Sequence, residues 1–146
     1  MRAVLSTSSP ISAAQPTDPI SGLLVSNDAK NLSIQFAFTG AVENYNGFQV
    51  FLDTDQNPAT GLAISGLGAD FLLENGTLNA YAGKGEDWNW KPLETKITYL
   101  NADQIAQWSV LLDDLGSPAA LDFAAQLVDT GWNTVFITKK ASYTLR

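Results

Sequence analysis

The chain has 146 residues, 45% of them hydrophobic, with 15 acidic against 8 basic side chains and a formal charge of -7. That is the length of one domain with enough apolar content for a core, and the acidic excess argues against nucleic acid or an anionic membrane as partner. There is no Cys, no His, and no Met beyond Met1. These absences exclude disulfides, the usual zinc ligand sets, imidazole acid–base chemistry and a haem held by His or Met.

Residues 6–19 are small, hydroxylated and punctuated by Pro10, Pro16 and Pro19, the composition of a flexible arm or a tether to another domain. Residues 1–5 carry a charge but no apolar run of the kind a secretion signal needs. No stretch approaches the roughly 20 apolar residues required to cross a bilayer. The expectation is a cytosolic protein, or a domain that belongs to a larger, exported one. Residues 20–146 are then read as a single β domain.

Residues 20–26 read as a strand and residues 27–31 as a turn. Leu32, Ile34, Phe36 and Phe38 then alternate with Ser33, Gln35, Ala37 and Thr39, the period of a half-buried antiparallel strand. Residues 48–53 form the next strand, with Phe48, Val50 and Leu52 on one face and Gln49, Phe51 and Asp53 on the other. It runs into a turn dense in oxygen side chains: Asp53, Asp55, Asn57 and Thr60, with Pro58 and Gly61 to shape it.

Residues 63–68 read as a flexible, Gly-rich connection. It is no nucleotide loop, because no Lys-Ser/Thr follows and the next segment is a strand. Residues 69–74 are that strand, Asn75-Gly76 is a hairpin dipeptide, and residues 77–82 return. Trp88 and Trp90 follow a Gly-Lys-Gly-Glu-Asp turn and are expected on one face of a strand that Pro92 limits. Residues 97–100 are strand-like, residues 101–106 fit one helical turn, and residues 107–112 are a strand that points Trp108 inward. Residues 121–128, 134–138 and 141–145 complete the series. Nine or ten short strands with turns every eight to twelve residues predict an all-β, two-sheet antiparallel sandwich of jelly-roll or immunoglobulin type with little helix.

The strand and turn at 51–61, with Gly68-Ala-Asp-Phe-Leu-Leu73, Tyr81, Trp88, Trp90 and the segment 108–116, resembles the superfamily of DOMON domains and family 9 carbohydrate-binding modules. The resemblance covers roughly residues 20–145. It implies a β-sandwich, often an appendage of secreted bacterial proteins, that binds sugar with aromatic rings and polar side chains. It also implies calcium in several members. The haem-binding branch uses Met and His ligands that this chain lacks.

Two candidate sites emerge. Calcium needs six to eight hard oxygens. Asp53, Asp55 and Asn57 have a spacing that wraps one ion, with Asp70 as the outside ligand; the alternative is that these side chains only close Asx-turns. Sugar C–H faces stack on indoles while polar neighbours orient hydroxyls, so Tyr81, Lys84, Glu86, Asp87, Trp88, Trp90 and Trp132 are the candidate contacts for a carbohydrate or other neutral ligand. Their alternative is packing, in the core or over its edge. A carboxylate-based hydrolase, a cyclase or isomerase in a cavity of the sandwich, and a purely structural spacer remain as other functional readings.

Overall fold

The computed structural model describes residues 18–146, so the arm expected over 1–19 falls almost wholly outside them. Among the described residues there is no α-helix; thirteen strands are interrupted by two 3₁₀ turns, Val42–Asn44 and Leu112–Leu115. The smaller sheet runs β1 (Ile20–Asn27), β2 (Asn31–Phe38), β10 (Ile105–Leu111) and β9 (Thr98–Ala102). The larger runs β12 (Thr134–Ile137), β11 (Ala120–Asp129), β3 (Tyr45–Asp53), β6 (Phe71–Glu74), β7 (Thr77–Tyr81) and β8 (Trp90–Pro92), and β13 (Ala141–Thr144) also pairs with β11. All pairings are antiparallel. The two-sheet sandwich expected from the strand pattern is the observed one.

Alternation places the core. Leu32, Ile34, Phe36 and Phe38 of β2 are buried against Phe48, Val50 and Leu52 of β3 and Leu121, Phe123, Ala125 and Leu127 of β11. Trp108 of β10 belongs to the same core, and its indole N–H donates to Asn75 O at 2.6 Å. A buried indole needs such an acceptor.

The other face of the large sheet is partly covered. The hairpin β4 (Leu62–Ile64) and β5 (Leu67–Ala69) folds over it, burying Phe51, Leu72 and Ala124 with Leu62, Leu67 and Ala69 in a second cluster. Hydrogen bonds tie the hairpin down, among them Ser65 Oγ donating to Thr138 O at 2.7 Å and Ala63 N–H to Gly85 O at 2.8 Å. The connection at 63–68 is therefore a strand pair, with Ser65 and Gly66 at φ 51° and 81° turning it.

Three further expectations are corrected. Residues 101–106 are not a helical turn: Asp103 and Gln104 stand at φ 55° and 60° between the paired residues Ala102 and Ile105. Two positive φ values in a two-residue loop match the right-handed twist of a hairpin, and pairing of β10 to both neighbours outweighs local helix preference. The strand expected over 69–74 breaks at Asp70, between β5 and β6. Trp88 is not on a strand with Trp90; it lies in the loop, and β8 begins at Trp90.

Candidate functional site

The three outward residues of β3 organise everything on that face. Asp53 enters an acidic cluster, Phe51 lies under the β4–β5 hairpin, and Gln49 lies in the uncovered half, below an open cleft.

At the acidic end, carboxylate oxygens of Asp53, Asp55 and Asp70 lie within 4.8 Å of one another. The turn draws them together. Asn57 N–H donates to Asp53 Oδ1 and to Asp55 Oδ1, each at 3.1 Å, and Thr60 Oγ1 donates to Asp55 Oδ2 at 2.6 Å. Gly68 N–H donates to Asp53 Oδ2 at 3.1 Å, and Thr54 N–H to Asp70 Oδ2 at 2.9 Å. The Asn57 side chain points elsewhere, its Oδ1 accepting from Ala59 N–H at 2.9 Å. The turn and β5 touch backbone to backbone: a Cβ at Gly68 would lie 1.8 Å from Thr60 O and 2.3 Å from Asn57 O.

No Lys or Arg lies between residues 53 and 70 to offset the charge. Burial, then the neighbouring Asp55 and Asp70, pushes the Asp53 carboxyl up to about 6. Burial and the Asp55 charge likewise raise Asp70. Partial desolvation would raise Asp55 as well, but bonds from Thr60, Asp53 and the Asn57 amide outweigh it and hold Asp55 below the usual carboxylate range. The three acids thus retain a proton where isolated carboxylates would have lost theirs. Their oxygens are hard ligands at separations compatible with cation–oxygen distances of roughly 2.3–2.6 Å.

At the open end, a cavity of about 490 Å³ is lined by Gln49, Glu74, Trp88, Gln126, Val128, Trp132 and Thr134. Its floor is a row of cross-strand neighbours, Gln126 of β11 opposite Gln49 of β3, and Gln49 opposite Glu74 of β6. The row is hydrogen-bonded in one direction. Thr134 Oγ1 donates to Gln126 Oε1 at 3.1 Å, Gln126 Nε2 to Gln49 Oε1 at 2.6 Å, and Gln49 Nε2 to Glu74 Oε2 at 2.5 Å.

Trp88 and Trp132 wall the row, 55% and 63% exposed. Trp88 rests edge-on against Phe51 and Trp90, at centroid distances of 6.0 and 5.8 Å. Trp132 is held by its loop: Asp129 Oδ1 accepts from Gly131 N–H and Asn133 N–H, both at 2.9 Å, and Trp132 N–H donates to Asp129 O at 3.0 Å. It also stands at φ 63°, a left-handed conformation that costs a bulky residue about 1–2 kcal/mol. The loop thus carries local strain and leaves a large indole in water.

Of the residues expected at a ligand surface, Trp88 and Trp132 line the cavity. Trp90 and Tyr81 sit behind Trp88, their rings 5.1 Å apart, and the Trp90 indole N–H is buried with no acceptor among the described residues. The Tyr81 hydroxyl donates to Asp87 O at 2.7 Å and braces the 82–89 loop. Lys84, Glu86 and Asp87 are exposed in that loop and do not line the cavity. Gln49, Gln126, Val128 and Thr134 were not foreseen. Their one sequence signal is an amide amid apolar strand residues, as Gln126 is within Ala124-Ala-Gln-Leu-Val128. No family model, no curated protein and no solved structure matches this chain.

Proposed function

We propose that this chain is a non-catalytic binding module whose ligand is a carbohydrate, held in the cleft between Trp88 and Trp132. The observation that carries this reading is the pair of exposed indoles beside a fixed row of polar side chains in a cavity of about 490 Å³. Apolar sugar faces stack on indole, and the half-exposed Glu74 at the end of the row can accept from a hydroxyl at the edge. The lining includes one carboxylate, Glu74, whereas glycoside hydrolysis calls for two. This favours binding over cleavage. The resemblance to DOMON domains and family 9 carbohydrate-binding modules points the same way, and a place within a larger protein accords with it.

The same reading assigns calcium to the acidic cluster. Asp53, Asp55 and Asp70 would hold it, and the ion would neutralise carboxylates that otherwise share a proton. Its role would be to brace the turn against β5. The test is a titration of tryptophan fluorescence with a saccharide panel, with and without EDTA, alongside thermal melting. Saturable quenching by at least one saccharide and a melting temperature that rises with calcium are expected. Saccharides that leave the fluorescence unchanged would overturn the ligand assignment, and melting indifferent to calcium and EDTA would overturn the metal.

A further inference from the structure

Resting on the carbohydrate reading of the same cleft, we infer that its preferred ligand is a saccharide bearing a protonated amine, an oligomer of 2-amino-2-deoxyhexose. The inference comes from the charge inventory of the cavity. Glu74 is the one charged side chain in its lining, and no Lys or Arg joins it. Gln49 and Gln126 are only 2% and 5% exposed, and each is engaged on both sides within the row. They hold the floor rigid and leave little hydrogen-bonding capacity for a ligand.

Glu74 is different. It is half-exposed, its Oε2 accepts from Gln49, and its Oε1 accepts no hydrogen bond among the described residues. The cavity thus presents one open carboxylate oxygen and two exposed indoles. An ammonium group satisfies both: it donates to a carboxylate in a charge-assisted bond and is attracted to the face of an indole within about 6 Å. A neutral sugar offers that oxygen only a hydroxyl, a weaker donor than an ammonium, and a uronate meets Glu74 with like charge. The overall charge of -7 ranks ligands in the same order at long range, so the test must separate the local carboxylate from the general field.

The experiment titrates the intrinsic fluorescence of the full chain with four tetrasaccharides at mildly acid pH and about 0.15 M salt, where the field beyond roughly 8 Å is screened. They are the glucosamine tetramer, its N-acetylated form, cellotetraose and the galacturonate tetramer. The expected order is glucosamine first by about fivefold or more over the two neutral tetramers, the size of one modest charge-pair contribution, with galacturonate weakest. In E74Q the ratio of glucosamine to cellotetraose affinity should fall close to one. E43Q removes an equal charge from an exposed 3₁₀ turn outside the cavity and should keep the ratio. Equal or tighter binding of the neutral tetramers overturns the inference and leaves the carbohydrate reading standing. A preference that survives in E74Q overturns it too, since the general field would then be its source. Failure of all four to bind overturns both.

Discussion

Each sheet of the sandwich has an outward face, and each face carries a row of polar cross-strand neighbours. On the small sheet the row is Ser26, Ser33, Ser109 and Thr98, one from each strand. On the large sheet it is Gln126, Gln49 and Glu74. The small-sheet row has Leu24 and Leu100 beside it and a cavity of only about 150 Å³. The large-sheet row lies between two indoles in a cavity of about 490 Å³. A polar row is therefore ordinary surface until loops wall it. The walls come from outside the sheet: the 82–89 loop, which the β4–β5 hairpin anchors through Gly85, and the Asp129–Asn133 turn.

The largest effect should follow from loosening that covering layer. Gly68→Ala would drive a Cβ into Thr60 O and Asn57 O, and neither carbonyl can yield without moving the turn. We expect a loss of about 3 kcal/mol or more in urea denaturation, at the upper end for overpacking. Gly76→Ala meets nothing closer than a Tyr99 ring carbon at 3.9 Å, so any cost there should be smaller. Equal losses at the two positions would mean that the hairpin does not depend on backbone contact with the Asp-rich turn.

Next in size is the loss of a wall. Trp88→Ala and Trp132→Ala should each weaken saccharide binding by about 1–3 kcal/mol, the range for a truncated aromatic anchor. Trp132 has no ring partner among the described residues, so its removal should change stability by less than about 0.5 kcal/mol, as for surface substitutions generally. Trp88 should cost about 1 kcal/mol more, because it loses edge-to-face contacts with Phe51 and Trp90. Leu100→Ala is the matched change on the other face, where Leu100 is 54% exposed, and it should leave binding unaltered. Isothermal titration with the same saccharide checks all three; equal losses from Leu100→Ala would move the site to the small sheet.

The same contrast separates what was legible in the chain from what was not. Period-two alternation in β2 announced the core, and an alternating strand marked Trp108 as buried. A run of carboxylates around a turn, with one more on the following strand, was enough to bring Asp53, Asp55 and Asp70 together. These signals are local or nearly so. The Gln126–Gln49 bond spans 77 positions, and nothing in either segment names the other. A register between β11 and β3 is needed to make them neighbours, and one residue of slip in either strand would turn its glutamine to the opposite face. The hairpin at Asp103-Gln104 escaped for a related reason: its left-handed residues are imposed by strand pairing on both sides of β10, without an Asn-Gly to advertise it.

The smallest effect tests the covered end against the open one by the sign of a slope. In the metal-free protein Asp53 has a folded value of about 6, above the ordinary carboxylate value of 3.8, and Asp70 is also raised. Between about pH 4 and pH 6 the native state then binds more protons than the unfolded one, so stability falls as pH rises through that window. Asp55 is lowered, and its contribution has the opposite sign: it is present above the unfolded value and lost as pH falls through the folded one, which lies below 3.8. The windows do not overlap, so the contribution of the three acids peaks near pH 4. Screening and partial exposure should keep the decline from pH 4 to pH 6 to a few degrees in melting temperature, since about 1 kcal/mol moves a domain of this size by roughly 2–8 °C. Asp53→Asn should flatten it, because the group that holds the extra proton is gone. Calcium should reverse it: protons compete with the ion for the same oxygens, so metal stabilisation grows as pH rises. Melting curves collected in EDTA and in calcium should therefore slope in opposite directions across pH 4–6. Parallel slopes would show that hydrogen bonds from Asn57, Thr60 and Gly68 close the turn unaided, and that the acidic end, unlike the cleft, serves the fold alone.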